Sequence, residues 1–434
     1  MILSLPIKPI VFRALSKRTG VHHLLALSVL VVAVLVSFQA KAQSSFQFSG
    51  FATLGLTSEK EGDIGFLRDG SQSRHPNRDL SVFPDSSAGV QLSSSFADQW
   101  RATTQVVYRD RPRYRLDEAI ELAFLAYQPV SGLDLRLGRV AVDMFQLSDY
   151  RRVDYANLWA RPPTEVYAWI LPSALDGGDI AYSFSRDTRF WRIKLQYGNS
   201  EPTLEYPDGS VLIETKFNDF LVGTLTLGID EWRMRLSYSQ ASPESSALDL
   251  ISGLTQAGAL VSGPVSDEAK LLAKTFSDAE GAQARYTQIS VGYDNGDWLI
   301  DTEFAKITTA HAIIPTGIAG YVSIGHRFDG ITPYAVYARF DSDQDLYVSD
   351  VDWSASGYQP LRDSAIAILN GVQIEQSSYT LGMRWDIAPK MALKAQWDRT
   401  YIEKEKFALW AHSNDRALDD TTVDVFSFAL NVVF

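Results

Sequence analysis

Charged side chains that alternate with apolar ones are the residues of this chain best placed to act on a solute. Arg192 and Lys194 alternate with apolar residues within 191–198, and the pattern recurs at 232–239 and 379–386. Because successive side chains of a strand point to opposite faces, each segment has one apolar and one polar sheet face. A polar face of this kind, lining water, would filter ions and orient dipolar solutes by charge.

A pattern for covalent chemistry is weaker. His412 and Ser413, with a Tyr-Thr-Gln run at 286–288, partly resemble barrel-borne phospholipases, whose nucleophilic serine needs a histidine within hydrogen-bond reach. Here the two residues are adjacent and lie in a long connection, whereas that family separates them by one residue on a strand. We therefore expect no enzyme activity and keep a barrel-borne lipid hydrolase only as a remote alternative.

A pattern for metal binding is also incomplete. Asp341, Asp343 and Asp345 have the spacing with which a calcium-binding loop begins. The sixth position is Leu346 instead of glycine, and the twelfth is Asp352 instead of glutamate. We expect an acidic surface loop here, and no metal or cofactor.

Composition excludes several classes of protein. The 434 residues are 46% apolar and 12% aromatic, carry a net charge of −12 and contain no cysteine. A chain with this apolar content is not disordered. A chain without cysteine has neither disulfides nor thiolate metal sites. Nucleic-acid binding is not expected of an acidic chain, because it depends on lysine and arginine contacts to phosphates.

The first 42 residues have the pattern of a cleaved signal peptide. Four basic residues precede an apolar run at 24–38, and an Ala-Lys-Ala sequence follows at 40–42. The run is shorter than the ~20 residues that a spanning helix needs. Cleavage would remove five basic residues and leave an exported chain with a net charge of −17.

The rest of the chain predicts sixteen strands joined by links that alternate between short and long. Outer-membrane barrels have such links, with tight periplasmic turns and long external loops, and an even strand number puts both termini on the periplasmic side. The predicted strands lie at 45–57, 87–96, 100–109, 118–128, 133–140, 179–186, 189–199, 216–229, 232–241, 284–295, 298–309, 319–328, 332–341, 377–387, 391–402 and 422–434.

Tryptophan positions favour a membrane barrel over a soluble sandwich. Trp100, Trp191, Trp232 and Trp298 each follow a predicted short turn by one to three residues, on the face predicted to point outward. Tryptophans gather in this way at the headgroup level of a bilayer, because indole is apolar with one polar N–H group. We also expect His326 at this interface. The sequence therefore predicts a transmembrane antiparallel β-barrel in the outer membrane of a Gram-negative bacterium.

Several stretches resemble the general bacterial porins and the related phosphate-selective porins. They are the Leu-Arg-Leu-Gly-Arg run at 135–139, the long third loop after it and the terminal Asn-Val-Val-Phe at 431–434. The resemblance implies a third loop, here 141–178, that folds into the lumen and narrows it. It also implies a homotrimer in contact with outer-membrane lipid that passes small hydrophilic solutes. No arginine ladder supports phosphate specificity.

The predicted lumen has an excess of positive charge. Alternation places eleven bases inward, namely Arg101, Arg109, Arg136, Arg192, Lys194, Arg233, Arg235, Arg327, Arg339, Arg384 and Lys394, against seven acids, Glu121, Asp134, Asp294, Asp301, Glu303, Asp386 and Asp398. We expect Arg233 and Arg235 to face water. Together with third-loop charges, the candidate pore-lining set is Arg101, Arg136, Arg192, Lys194, Arg233, Arg235, Arg384, Asp149, Arg151, Arg152, Asp154, Arg161 and Glu165.

The predicted function is a water-filled channel for passive diffusion with a weak preference for anions. Charges in a narrow lumen act on ions at short range, while loop charges are largely screened beyond ~8 Å. A non-channel barrel that serves as an adhesin or receptor is the alternative. A helix is also predicted within the connection at 242–283, with Ser266 as its N-cap and Phe276 near its end.

Overall fold

The sixteen predicted strands form one closed antiparallel barrel. The structure, a computed structural model, describes residues 45–60, 64–74, 80–148, 150–169, 172–205, 212–244, 248–279, 281–311, 314–412 and 419–434. Consecutive strands pair around the barrel, and the last strand pairs with the first in the register Phe51↔Val433. Closure leaves no free edge, so every strand finds two neighbours. The predicted signal peptide at 1–42 lies outside the described residues.

The strands agree with the predicted ranges except at some ends. β6 begins five residues earlier than expected, and β15 extends five residues further. The barrel strands are β1 Ser45–Glu59, β2 Ser87–Phe96, β3 Trp100–Arg109, β4 Ile120–Val130, β5 Leu133–Ala141, β6 Ala174–Arg186, β7 Arg189–Ser200, β8 Lys216–Ile229, β9 Trp232–Glu244, β10 Ala284–Asp294, β11 Trp298–Thr308, β12 Gly317–His326, β13 Ile331–Ser342, β14 Ile374–Ala388, β15 Met391–Phe407 and β16 Thr421–Val433.

The tight turns and the long connections lie at opposite ends of the barrel, as predicted. Several tight turns contain a residue in the left-handed region, for example Asp187 with φ 55° and Asp230 with φ 49°. Aspartate tolerates this conformation better than bulky or β-branched residues do. At the same end the C-terminal Phe434 packs against Phe48, and its backbone exchanges two 3.0 Å hydrogen bonds with Gly50.

An aromatic belt surrounds the short-turn end on the outer face. Trp100 stacks on Tyr127 with ring centroids 4.4 Å apart, and Trp232 lies 4.6 Å from Tyr293. His326 packs against Trp298 and Phe328, at 4.5 and 4.3 Å, in the interfacial position predicted for it. The register of the tryptophans after the turns thus does build a belt.

Small strands and helices occupy the long connections. Ile64–Phe66 pairs with Trp410–His412, Leu80–Ser81 pairs with β1, and Thr203–Glu205 pairs with Leu212–Glu214. Short helices lie at Leu116–Ala119 and Thr164–Tyr167, with a 3₁₀ turn at Asp154–Ala156. No helix among the described residues is both long and apolar enough to cross a membrane.

Three longer helices form a separate cluster in the connections before β10 and β14. They are α1 Leu248–Leu260, α2 Pro264–Ala279 and α3 Gln359–Asn370, and they share a core that contains Leu254, Leu272 and Trp353. The predicted helix is confirmed as α2, but its start is not. Pro264 begins the helix, a favoured position for proline, and the Ser266 hydroxyl donates to the Gly258 carbonyl oxygen at 2.7 Å.

Alternation assigned the inward and outward faces correctly for all but one of the charged wall residues, Arg339. This side chain shares the outer face with Tyr337 and is 49% exposed beside Asp341. The inward residues of β13 between Tyr334 and Phe340 are apolar. Because that strand is apolar on its inner face, its polar residues do not mark the lumen.

A close approach between β13 and β14 positions an inward tyrosine. Gly382 lies opposite Tyr334 in the register, and a Cβ at Gly382 would be 2.2 Å from the Tyr334 ring. The Tyr334 hydroxyl in turn lies 2.9 Å from Gln396 Oε1 and 3.2 Å from the Ala160 backbone nitrogen. Glycine is therefore required here for packing.

Replacing Gly382 by alanine should destabilise the barrel by about 1–3 kcal/mol, because the added methyl group must displace a buried ring. The control is Gly228→Ala, also an inward strand position, where the nearest atom would lie 3.5 Å from the new Cβ. The measurement is the urea midpoint for loss of the folded band on unheated gels. Equal midpoints for the two variants would contradict the packing constraint.

Candidate luminal site formed by loops 1 and 3

The described residues of 142–173, here called loop 3, lie inside the barrel. Their polar groups bond to inward side chains of strands from β7 to β16, including Gln196, Ser323 and Ser427. Phe145, Trp159 and Val166 of this loop are at most 3% exposed. Loop 3 thus fills much of the lumen that alternation predicted to contain water.

Two wall bases hold the beginning of loop 3. Asp143 Oδ2 lies 3.1 Å from Lys194 Nζ, and Asp143 Oδ1 accepts a 2.8 Å hydrogen bond from Arg235. Burial alone would raise the pKa of the Asp143 carboxyl, but Lys194 and Arg235 hold it below its usual range. The aspartate is therefore ionised and fixes the point at which the chain enters the lumen.

Two more bases hold the middle of the loop through its backbone. Lys394 Nζ donates to the carbonyl oxygens of Asp154, Asn157 and Trp159 at 2.7, 2.6 and 2.9 Å. Arg384 donates to the Asn157 carbonyl at 2.9 Å and also to that of Tyr155. Carbonyl groups turned away from regular structure need such donors when they are buried.

Arg161 connects loop 3 to both the wall and the first long connection. Its guanidinium donates to Asp85 at 2.7 Å and to Asp398, and it lies 4.2 Å from the centre of the Phe66 ring. Only 2% of this side chain is exposed. A buried guanidinium needs a carboxylate to neutralise it and acceptors for its N–H groups, and these two carboxylates supply both.

The end of loop 3 is held by hydrogen bonds in which the donor is an uncharged side chain. The Tyr167 hydroxyl donates to Glu303 on β11, and Gln376 Nε2 donates to Glu165 Oε1 at 2.8 Å. Burial raises the pKa of the Glu165 carboxyl, which is fully enclosed.

The described part of the connection from 60 to 86, here called loop 1, packs on loop 3. Arg68 pairs with Asp154, and Arg152 pairs with Asp69 at 2.8 Å. The Gly70 amide also donates to the Ala168 carbonyl at 2.7 Å. Two loops far apart in sequence are thus joined by ion pairs within the barrel.

These pairs belong to a larger arginine cluster, in which three arginine side chains are more exposed than four of the acids around them. Arg68, Arg109 and Arg152 keep 10–13% of their side-chain surface, whereas Asp69, Asp85, Asp154 and Glu121 keep 0–7%. Although burial alone would raise the pKa of Asp69, the surrounding arginines hold it well below its usual range. Water therefore reaches these three arginines more than it reaches Asp69, Asp85, Asp154 and Glu121.

The structure divides the predicted pore-lining residues into two groups. Arg101 is exposed near a tight turn, Arg192 bonds to Ser183 at 3.3 Å, and Arg233 is exposed at the same end. The second group is buried or half-buried at contacts with loops or with the neighbouring wall. Its member Arg136 pairs with Asp179. The group consists of Arg136, Lys194, Arg235, Arg384, Arg151, Arg152, Asp154, Arg161 and Glu165. Asp149 lies outside the described residues, as does Ser413 of the hydrolase pattern.

One expectation about the wall is wrong. Arg235 does not face open water, because its guanidinium is held by the Asp143 carboxylate and by the Asp143 backbone carbonyl at 2.7 Å. Alternation correctly identifies the inner face but does not reveal that loop 3 occupies it.

Sequence reasoning missed the contribution of loop 1. Arg68, Asp69 and Asp85 all pair with residues of loop 3 or of the wall, but they lie in an irregular segment without periodicity. Arg111, which donates to Glu121 at 2.8 Å, was missed for the same reason. The available signal was the number of charged residues in a long loop, which does not indicate their partners.

Comparison with known structures supports the fold. OmpF of Salmonella typhi, solved in complex with daunomycin, aligns over 90% of this chain and 97% of its own, with 12% identity and a TM-score of 0.52. The anion-selective porin of Comamonas acidovorans aligns over 90% of this chain and all of its own, with 10% identity and a TM-score of 0.51. No protein-family model and no curated protein matches the sequence.

Replacing Lys394 by methionine should loosen loop 3, because three buried carbonyls would lose their shared donor. Ala160 is fully buried in this loop and the chain contains no cysteine, so Ala160→Cys supplies a clean reporter. We expect maleimide to label that cysteine at least about tenfold faster in the Lys394→Met background. A tenfold factor corresponds to a free energy of loop 3 opening that is lower by ~1.4 kcal/mol. Arg192→Met is the control, and equal labelling rates in the two backgrounds would contradict the anchoring role of Lys394.

Proposed function

We propose that this chain is an outer-membrane porin, which forms a water-filled channel for passive diffusion of small hydrophilic solutes and ions. The observation that supports this most strongly is loop 3, held by charged wall residues inside a closed sixteen-stranded barrel. Barrels of this size enclose an aqueous channel unless their loops fill it. In the proposed channel, loop 3 and loop 1 form the narrowest region.

The arrangement of charge supports a weak preference for anions. Arg68, Arg109 and Arg152 keep more side-chain exposure than the carboxylates that they pair with, so a permeating ion would meet these arginines first. Charges that line a narrow aqueous space act on an ion at short range, where salt screens them least. The acidic loops contribute at longer range.

We further propose that the protein is exported by the signal peptide at 1–42, is not an enzyme, and assembles as a homotrimer in outer-membrane lipid. The assembly is consistent with large apolar side chains that stay exposed on and near β1 to β4. Leu80, Phe83, Tyr108 and Leu116 are 58–72% exposed. A surface of this kind buries well against lipid or a second copy of the barrel.

The proposal is tested by recording from purified protein in planar lipid bilayers. A porin gives stepwise, ohmic increases in current whose size depends on salt concentration. Folded protein that inserts without conductance would overturn the proposal and favour the alternative of an adhesin or receptor. Release of fatty acid from lipid vesicles would instead favour a barrel-borne lipid hydrolase.

Reversing one luminal charge should shift ion preference. Arg101 is exposed to the lumen near a tight turn, so Arg101→Glu should move the reversal potential in a salt gradient toward cation preference. Arg285→Glu makes the same charge change on the outer face, where Arg285 is exposed. This variant should shift the reversal potential less. An equal shift in both variants would mean that surface charge, and not the lumen, governs selectivity.

A further inference from the structure

A second concave site lies on the other side of loop 3, away from the arginine cluster. It is a cavity of about 420 Å³ between loop 3 and the short-turn ends of β9 to β12. Cavities that bind small molecules usually measure ~300–1,000 Å³ and combine apolar walls with a few polar groups. This cavity is therefore large enough for a small organic solute.

One arginine of the cavity forms no ion pair within the part of the chain that the structure describes. Arg233 is exposed, and no carboxylate of the described residues lies within 4.0 Å of its guanidinium nitrogens. Tyr150 of loop 3 lines the same cavity. Arg327, the second arginine of the cavity, is already bound to both oxygens of Asp294 at 2.6 and 2.9 Å.

The neighbouring acid is also already engaged. Asp301 Oδ1 accepts a 2.7 Å hydrogen bond from Gln146 Nε2. A Cβ at Gly292 would come within 2.9 Å of the same oxygen, so glycine keeps the floor of the cavity open beside Arg233. Of the two arginines in the lining, Arg233 is thus the one without a carboxylate partner among the described residues, while Glu231 is an exposed acid of the same lining.

Apolar side chains form the rest of the wall. Leu147 and Leu158 of loop 3 and Leu299 of β11 line the cavity. A hydrated inorganic ion gains nothing from such surfaces, whereas an aliphatic or aromatic group is driven onto them. An arginine can at the same time bind a carboxylate through two parallel hydrogen bonds.

We propose that this cavity binds small organic carboxylates that have an apolar body, with the carboxylate on Arg233 and the apolar body between loop 3 and β11. The inference deepens the proposed channel function, on which it rests, by naming a class of solute held on the short-turn side of loop 3. The arginine cluster on the opposite side has no such apolar wall and belongs to the narrow region already described.

The test is a titration of 4-fluorobenzoate against detergent-solubilised protein, followed by fluorine NMR. We expect saturable binding that weakens about tenfold or more in Arg233→Gln, because a charge-assisted bidentate contact is lost, and that is largely retained in Arg233→Lys. The matched control is Arg192→Gln, which removes another inward arginine of the same end and should leave binding unchanged. Heat-modified gel mobility verifies that each variant is folded.

Two further probes test the chemistry of the ligand. Neutral 4-fluorobenzamide and cationic 4-fluorophenethylamine should bind at least tenfold more weakly than 4-fluorobenzoate. Equal binding of all three probes, binding that survives in Arg233→Gln, or no saturable binding to folded wild-type protein would each overturn the proposal.

Binding in detergent does not require conduction, so the two proposals can fail separately. Conductance without carboxylate binding overturns only the cavity proposal. Carboxylate binding without conductance overturns the porin function but supports the cavity as a ligand site of a non-channel barrel.

Discussion

A loop that enters a barrel brings backbone carbonyls and carboxylates into a space with little water, and each of these groups needs a donor. The rest of the luminal structure depends on this constraint. Lys394 supplies three backbone carbonyls at once, and Lys194 and Arg235 neutralise the aspartate at which loop 3 begins. The basic residues of the wall therefore serve first to place the loop.

The same constraint explains why two loops are joined. Arg161 is buried between a loop 1 carboxylate and a wall carboxylate, so losing Asp85 or Asp398 would leave a buried guanidinium N–H group without its acceptor. The network thus couples the position of loop 3 to that of loop 1.

Much of the fold could be predicted from the sequence, because alternation and turn residues act locally. All sixteen strands and the aromatic belt follow from residues that are near one another in the chain. The error at Arg339 came from β13, whose inward residues between Tyr334 and Phe340 pack on loop 3 and are apolar. On such a strand the polar residues mark the outside instead of the lumen.

The site was predictable only in part. The inward direction of Lys194 and Lys394 follows from alternation, but their partners are carbonyls and carboxylates of a loop without periodicity. The ion pairs of Arg68 and Asp69 join segments more than eighty residues apart. Such contacts arise from the packing of the whole barrel. A local sequence pattern does not indicate them.

The most direct test of this account is the size cut-off for neutral sugars after loop 3 is shortened. Residues between Phe145 and Trp169 would be replaced by a short glycine–serine linker, and the swelling rate of liposomes would be measured with sugars of increasing size. The account predicts faster uptake and a larger cut-off than in the wild type, because the wall alone would then limit passage. An unchanged cut-off in a folded variant would contradict the claim that loop 3, anchored by the wall, forms the narrowest part of the channel.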